Sequence, residues 1–591
     1  MSIPSASGTH RAHLIVLAVV CFLVFFNSLT NDLVWDDIPL IKENSYLRDY
    51  KHIPRFLTPR YWNDQHPYAG HYRPLRTISL AVDYFFWGLN PIGYRLTNLL
   101  LHTVNVILVY FLVVFIGRRE AGRLAFFTAL LFAVHPVHTE SINLVKNRSD
   151  LLAFMFFVIS FLLFVKQPTS ARKGSRWILI AAWCSFVPAV LSKEMALTLP
   201  GVLVLYVVCF LPGPERGRSL TRIIPYAGIV AVYFWFMCTF ITPAAPLPAG
   251  VVLPSGPVRQ IWTVIKTTGI YLKMLAVPYP LKAEHPFVVP SSLSDPLVLP
   301  SLILILLVLI TAVGTYRRAP VVCFALGWIL LTLVPAANLV YLVSRPIAEQ
   351  RLYIPSFGLC LLLGYAVTGL RQRRSARSKP GKWAVAGVLL YLMAAGLYAG
   401  LTMDRNRDWR DEITFYTRTL AANPDSPRMH NNLGIALNRA GRYEAAVDHF
   451  RTALRLDPDY AKPHLNLGST YFNMGRYREA VDHFQAGLML KRDKDDRHYL
   501  GVYNNLGVAQ MHLGQMDAAI RHFARVLEAD PDNIDAGYNL GVALMRGGDY
   551  PEAGAWFSRV LTINPAHVQA ARAYEYCLKM MNAKSQAVIE K

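Results

Sequence analysis

Between residues 12 and 402 the chain alternates long apolar runs with short polar loops. Runs of the length a bilayer-crossing helix needs, about 20 residues, fall at 12–30, 96–116, 121–137, 151–166, 176–192, 195–212, 223–242, 298–315, 319–341, 352–370 and 383–402. These eleven stretches predict an all-α, polytopic membrane domain over residues 1–404. Residues 31–95 and 254–286 are aromatic and amphipathic, but Arg73, Arg76, Asp83 and Lys273 interrupt them. They are expected to lie in the membrane interface rather than to span it.

From residue 405 the period changes. Leu433-Gly434 recurs as Leu467-Gly468, Leu506-Gly507 and Leu540-Gly541. Each pair is followed by a glycine (Gly441, Gly475, Gly514, Gly548), an alanine (Ala446, Ala480, Ala519, Ala553) and a phenylalanine (Phe450, Phe484, Phe523, Phe557). The spacing is 34 residues, stretched once to 39 between Leu467 and Leu506, where residues 491–497 accommodate an insertion. Pro424, Pro458, Pro531 and Pro565 close the units. This is the tetratricopeptide (TPR) pattern, two antiparallel helices per unit with small residues where they cross. Four units, with a helix before them (412–422) and one after (566–581), predict an α-solenoid over 405–591 whose concave face binds a partner. Asn432, Asn466, Asn505 and Asn539 share one register, just before each Leu-Gly pair. A ladder of amides can pair with the backbone of an extended peptide, or each Asn can pair within its own repeat.

Composition agrees with a membrane protein: 53% of the 591 residues are hydrophobic and the mean hydropathy is +0.30. A net charge of +22 raises the question of nucleic acid. The basic residues fall instead in alternate short loops: Arg118, Arg119 and Arg123; Lys166, Arg172, Lys173 and Arg176; Arg216, Arg218 and Arg222; Arg317 and Arg318; and 371–382. The positive-inside rule makes those loops cytoplasmic, and no helix-turn-helix or zinc-finger spacing appears. Seven scattered cysteines form neither a metal motif nor a disulfide framework. The first apolar run lacks a small-x-small cleavage site and is kept as a span.

The opposite loops then share one face, together with the solenoid. They hold Trp35-Asp36-Asp37, the segment 133–150 (A-V-H-P-V-H-T-E-S-I-N-L-V-K-N-R-S-D), Ser192-Lys193-Glu194 and Glu349-Gln350-Arg351. Ionisable groups at a membrane edge are hydrated, paired or in use. Asp36 and Asp37 can act as a general base on an acceptor hydroxyl, bind a cation, or start a helix. Glu140 offers a further carboxylate. His135 and His138 have a spacing that permits zinc, but the proline between them argues against it and no third ligand is evident. Lys193 and Arg351 suit a lipid-linked phosphate at headgroup depth, or simply anchor to ordinary lipid. Taken together, the set describes a site that activates a hydroxyl beside a phosphate leaving group.

Several motifs carry a resemblance: F-N-S-L-T-N-D-L-V-W-D-D, Y-R-P-L at 72–75, L-N-P-I-G-Y-R-L-T-N-L-L-L-H at 89–102, L-F-A-V-H-P-V-H-T-E at 131–140, N-R-S-D in place of G-R-A-D, and L-S-K-E at 191–194. With the TPR array they resemble the transmembrane and tetratricopeptide O-mannosyltransferases, and most of the chain is covered. The resemblance implies a GT-C glycosyltransferase that moves a hexose, mannose in the eukaryotic members, from a polyprenyl phosphate to Ser or Thr hydroxyls on the extracytoplasmic side. It further implies Asp36 as base, with Asp37 and Glu140 near the acceptor. Lys193, Arg351 and Arg148 would meet the donor phosphate, and His135, His138 and Glu194 would line the pocket. The Asn ladder would bind the acceptor polypeptide. No metal or other cofactor is implied beyond the lipid-linked sugar. The chain departs from longer members in its short array and in Lys146-Asn147-Arg148-Ser149, which stands where V-G-R-A is usual. The short array and the cysteine usage favour a bacterial inner membrane with periplasmic repeats over the endoplasmic reticulum. A membrane-anchored TPR scaffold without catalysis is the alternative.

Overall fold

The computed structural model describes residues 8–64, 72–117, 121–166, 175–241, 256–338, 345–372, 382–490 and 499–589. Among them every regular element is helical. The chain divides after Asn423 into two compact units, and the helix Glu412–Ala422 falls in the first. Basic loop residues 118–119, 172–173 and 373–379, and the 491–497 insertion, lie outside the described residues.

Each of the eleven apolar stretches holds a helix within its described part, but the helices differ in length. Among the described residues, six helices are long and apolar enough to cross a membrane: Gly8–Ser28, Pro91–Ile116, Val145–Lys166, Gly213–Phe240, Val298–Thr315 and Lys382–Trp409. Arg176–Ser192, Glu194–Phe210, Pro320–Ala336 and Ser356–Gly369 are shorter. At 17 residues or fewer they extend less than about 26 Å, short of a hydrocarbon core of roughly 30 Å. The remaining stretch is broken into Ala121–Val134 and Pro136–Asn143, bent by 53°. The cause is local. Pro136 has no amide hydrogen, and its ring drives His135 out of the helical region to φ −69°, ψ 125°. Beyond the break the chain turns back as a short helix, Thr139–Asn143, all of it buried.

Three asparagines fasten the ends of the first, broken and last apolar helices together. Asn143 Nδ2 donates to Asn406 Oδ1 (2.7 Å), Asn31 Nδ2 to the Asn406 carbonyl (2.8 Å), and Asn406 Nδ2 to the Val24 carbonyl (3.0 Å). Arg95, fully buried, donates to the carbonyls of Asn31 (2.8 Å), Asn143 (2.5 Å) and Asp32. Buried donors and acceptors of this kind persist only when paired, so the loop entering at Asn31 and the turn after Glu140 are held to one another.

In the second unit the repeats appear as helix pairs: Pro427–Arg439 with Tyr443–Leu456, Ala461–Asn473 with Tyr477–Met489, Leu500–His512 with Met516–Ala529, and Ile534–Gly547 with Tyr550–Ile563. A further helix, Val568–Ile589, packs on the last pair. Gly434 is required by close approach, since a Cβ there would lie 2.5 Å from the Phe450 ring. Gly441, at φ +73°, turns the chain between the two helices in the left-handed region that glycine occupies without strain.

Candidate active site

The structure gives the two adjacent aspartates different surroundings. Asp37 is fully buried, and its oxygens accept from the backbone N–H groups of Val145 (3.0 Å) and Lys146 (2.7 Å). Burial pushes its carboxyl up to about 6, against the pull of those hydrogen bonds and of Arg95. It therefore anchors the loop to the turn before helix Arg148–Lys166. Asp36 remains accessible, its side chain 36% exposed, and its Oδ2 takes Lys146 Nζ at 2.5 Å. One residue thus addresses both carboxylates, Lys146 through its backbone and its side chain.

Trp35, immediately before them, has φ +53°, a conformation that costs a non-glycine residue energy. Its indole is held between Phe415 (ring centroids 5.3 Å apart) and the Arg345 guanidinium, 4.9 Å over the ring. Arg345 in turn grips the fully buried Glu140 with two hydrogen bonds, Nη1 to Oε1 at 2.5 Å and Nη2 to Oε2 at 3.1 Å. Asp36 and Glu349 add to the negative field around that guanidinium. Glu349 is buried against Arg405 and His285, each at 3.4 Å. Burial alone would raise its carboxyl, but Arg405, a hydrogen bond from His285 and the Arg345 guanidinium hold it below the usual range. Asp36 and Glu140 therefore flank one guanidinium, and the cluster alternates acid and base at the mouth of the helices.

A second cluster adjoins the same turn. Lys193 Nζ donates to both oxygens of Asp150 at 2.7 Å, both groups buried, and Arg73 Nη2 bonds Glu194 at 2.9 and 3.0 Å. Lys146 and Asp150 lie four residues apart at the head of Arg148–Lys166, so this turn joins the two clusters. Arg148, between them, points inward. It is wholly buried, with Asp83 at 2.5 Å, Asn98 Oδ1 at 2.7 Å and the Tyr94 carbonyl at 3.0 Å. Arg351 donates to the carbonyls of Pro346 (2.8 Å) and Arg345 (3.1 Å) and to the Tyr271 hydroxyl (3.3 Å), which braces the loop carrying Arg345. His135 and His138 are fully buried. His138 Nε2 pairs with Ser356 Oγ at 2.8 Å and the ring packs on Phe132 and Tyr353, while His135 lies against Tyr398. Among the described residues no three His, Cys, Asp or Glu side chains gather as a metal site.

Sequence reasoning passed over Arg345, Arg73 and Arg405 as site members and gave Glu349 a place in the loop but no role. Arg73 had a signal, since it lies within Y-R-P-L. Arg345 offered only its place in the same loop as Arg351. In the solenoid, Asn466 Nδ2 donates to Asn431 Oδ1 (2.8 Å) and Asn539 Nδ2 to Asn504 Oδ1 (3.0 Å). The ladder amides are thus joined from one repeat to the previous one, and Asn432 accepts from its neighbour Asn431 at 3.3 Å.

Residues 14–245 match the family model described as dolichyl-phosphate-mannose-protein mannosyltransferase. Residues 436–475 match a TPR repeat model, and 465–534 and 504–568 a tetratricopeptide repeat model. The first half of the chain is thus similar to a mannosyltransferase domain, and the second to TPR repeats. Over 513 residues it is 27% identical to protein O-mannosyl-transferase Tmtc3 of Drosophila melanogaster, covering 73% of this chain and 54% of that protein. With protein O-mannosyl-transferase TMTC4 of Mus musculus it is 25% identical over 521 residues, covering 76% and 67%. The chain thus spans between about half and two thirds of these relatives' length. The crystal structure of MamA aligns with 27% of this chain and 86% of its own at 22% identity, with a TM-score of 0.25. The mannosyltransferase match takes in Asp36, Asp37, Glu140, Lys146 and Lys193, whereas Arg345, Arg351 and Arg405 lie beyond it.

Proposed function

We propose that this multi-pass membrane protein is a glycosyltransferase that moves mannose from a polyprenyl-phosphate donor to Ser or Thr hydroxyls of a polypeptide on the extracytoplasmic face. The observation that carries this reading is the Asp36–Lys146 pair within the mannosyltransferase-type region: a membrane-edge carboxylate that is accessible, oriented and next to cations. Asp36 takes the proton of the acceptor hydroxyl. The hydroxyl oxygen bonds to C1 of the sugar from the face opposite the phosphate, the C1–O bond to phosphate breaks, and its electron pair leaves with the polyprenyl phosphate. Lys193 and Arg73 are the cations assigned to that departing charge, with Asp150 and Glu194 fixing their positions. Asp37, Arg148 and Arg351 act through the loops they anchor. The Asn-lined surface of the solenoid takes an extended segment of the acceptor, and the solenoid is assigned to the periplasm of a bacterial cell.

The test is label transfer. The native protein in lipid is given radiolabelled polyprenyl-phosphate mannose and a Ser/Thr-bearing acceptor fraction, beside Asp36→Asn. Transfer by the native chain that the substitution abolishes, with folding retained, supports enzyme and base together. No transfer from any polyprenyl-phosphate sugar would leave the membrane-anchored TPR scaffold.

A further inference from the structure

We infer that two histidine pairs in the solenoid, His430 with His449 and His464 with His483, are transition-metal sites, each taking one divalent cation of the zinc or copper class. The pairs recur at one register. His430 and His464 stand three residues before Leu433 and Leu467, where the TPR pattern calls for tryptophan. His449 and His483 stand one residue before Phe450 and Phe484 on the second helix of each unit. The third unit has Tyr503 and His522 at these positions and the fourth has Gly537 and Trp556. Only the first two units therefore present two imidazoles to each other.

Geometry makes the pairs chelating. Nδ1 of His430 lies 2.9 Å from Nδ1 of His449, and Nδ1 of His464 lies 3.0 Å from Nδ1 of His483. Facing nitrogens at that distance share a single proton, one ring donating and the other accepting. His430 Nε2 is 2.9 Å from the Pro424 carbonyl, which can only accept. Nε2 therefore carries the hydrogen and the Nδ1 lone pair faces the partner ring. A metal-ligating histidine is held in the same way, its distal N–H on a backbone carbonyl. His483 is oriented by the Tyr471 ring, stacked at 5.5 Å, whose hydroxyl accepts from Arg451.

At Zn–N distances of about 2.0–2.1 Å and a tetrahedral angle, the two nitrogens would stand roughly 3.3 Å apart. A separation of a few tenths of an ångström, with the rings turned so that both Nδ1 lone pairs converge on one point and the shared proton moved to Nε2 of the donating ring, admits the ion. Asp448 and Asp482 add negative charge beside the pairs, and Arg451 opposes it at the second. Water completes each shell, and the bound ion ties the two helices of a unit together.

The test uses the full chain, free of any affinity tag, in detergent. Zn2+ binding is measured by competition with a chromophoric chelator for native protein, His449→Gln/His483→Gln and His522→Gln. Native protein is expected to bind two equivalents more than the double variant, with His522→Gln equal to native. Cu2+ added to native protein should give an electron paramagnetic resonance spectrum with two imidazole nitrogens per copper. Equal Zn2+ stoichiometry in native and double variant would overturn the inference. So would a native Cu2+ spectrum without paired nitrogens, which needs no variant to fold.

Discussion

Replacing Arg345 with methionine is the substitution that bears hardest on the site geometry. Glu140 has no exposure and Arg345 keeps 13% of its side chain accessible, so the pair is screened very little. Without the guanidinium the carboxylate keeps the Gln350 backbone N–H at 3.3 Å but loses the charge that stabilises it inside the protein. Removing one partner of a buried pair costs about 3–5 kcal/mol. Arg345→Met also removes the cation over Trp35, worth about 0.5–2 kcal/mol. Glu140→Gln keeps shape and leaves an arginine with some access to water, so its cost falls lower, about 1–3 kcal/mol. Combining the two removes both charges and should recover much of the loss, giving a coupling of roughly 2–3 kcal/mol. The assay is unfolding in mixed micelles titrated with SDS, followed by tryptophan fluorescence for native, both single variants and the double variant. A double variant that loses the sum of the two single losses would refute the reasoning, because the residues would then not share one interaction.

Asp36→Asn is expected to lower transfer about 10²–10⁴-fold as the loss of a general base, with stability changed by no more than about 1 kcal/mol because the ion pair is accessible; label transfer and SDS unfolding measure the two. Asp37→Asn turns one acceptor into a donor facing the N–H groups of residues 145–146 and should cost about 1–3 kcal/mol. The folded carboxyl of Asp37 titrates near 6, above its unfolded value. Its contribution to stability is therefore complete at acid pH and lost as pH rises through about 6. Native protein should accordingly lose stability relative to Asp37→Asn between pH 4 and 7, read by paired thermal melts; a constant difference would contradict the burial argument. Gly434→Ala places a methyl 2.5 Å from the Phe450 ring and should destabilise the solenoid by about 1–3 kcal/mol in circular-dichroism melts.

What could be read from the chain alone was whatever depends on neighbours in sequence. Apolar runs announced helices, and the recurrence of Leu-Gly, Ala and Phe announced stacked helix pairs, since each rests on contacts within about 34 residues; the break at Pro136 inside the 121–137 run went unread. Reading the basic loops as one face and the others as the opposite face extended that reach, and so Asp36, Glu140 and Lys193 were legible as candidates. Their partners were not. Arg345 meets Glu140 across 205 residues, and nothing local separates it from Arg351, six residues on in the same loop. Only the fold decides that one guanidinium takes the carboxylate while the other holds the backbone of the first. The same holds for the aspartates, because Asp-Asp is symmetric as a string and becomes unequal only when the turn at 145–146 caps one of them and Lys146 reaches the other. The histidine pairs fall between these cases. Their 34-residue recurrence lay open in the sequence, but a pattern that assigns the position to aromatic packing hides it until the ring nitrogens are seen to face each other. Chemistry at long range is thus chosen by geometry from residue types that sequence can nominate but not rank.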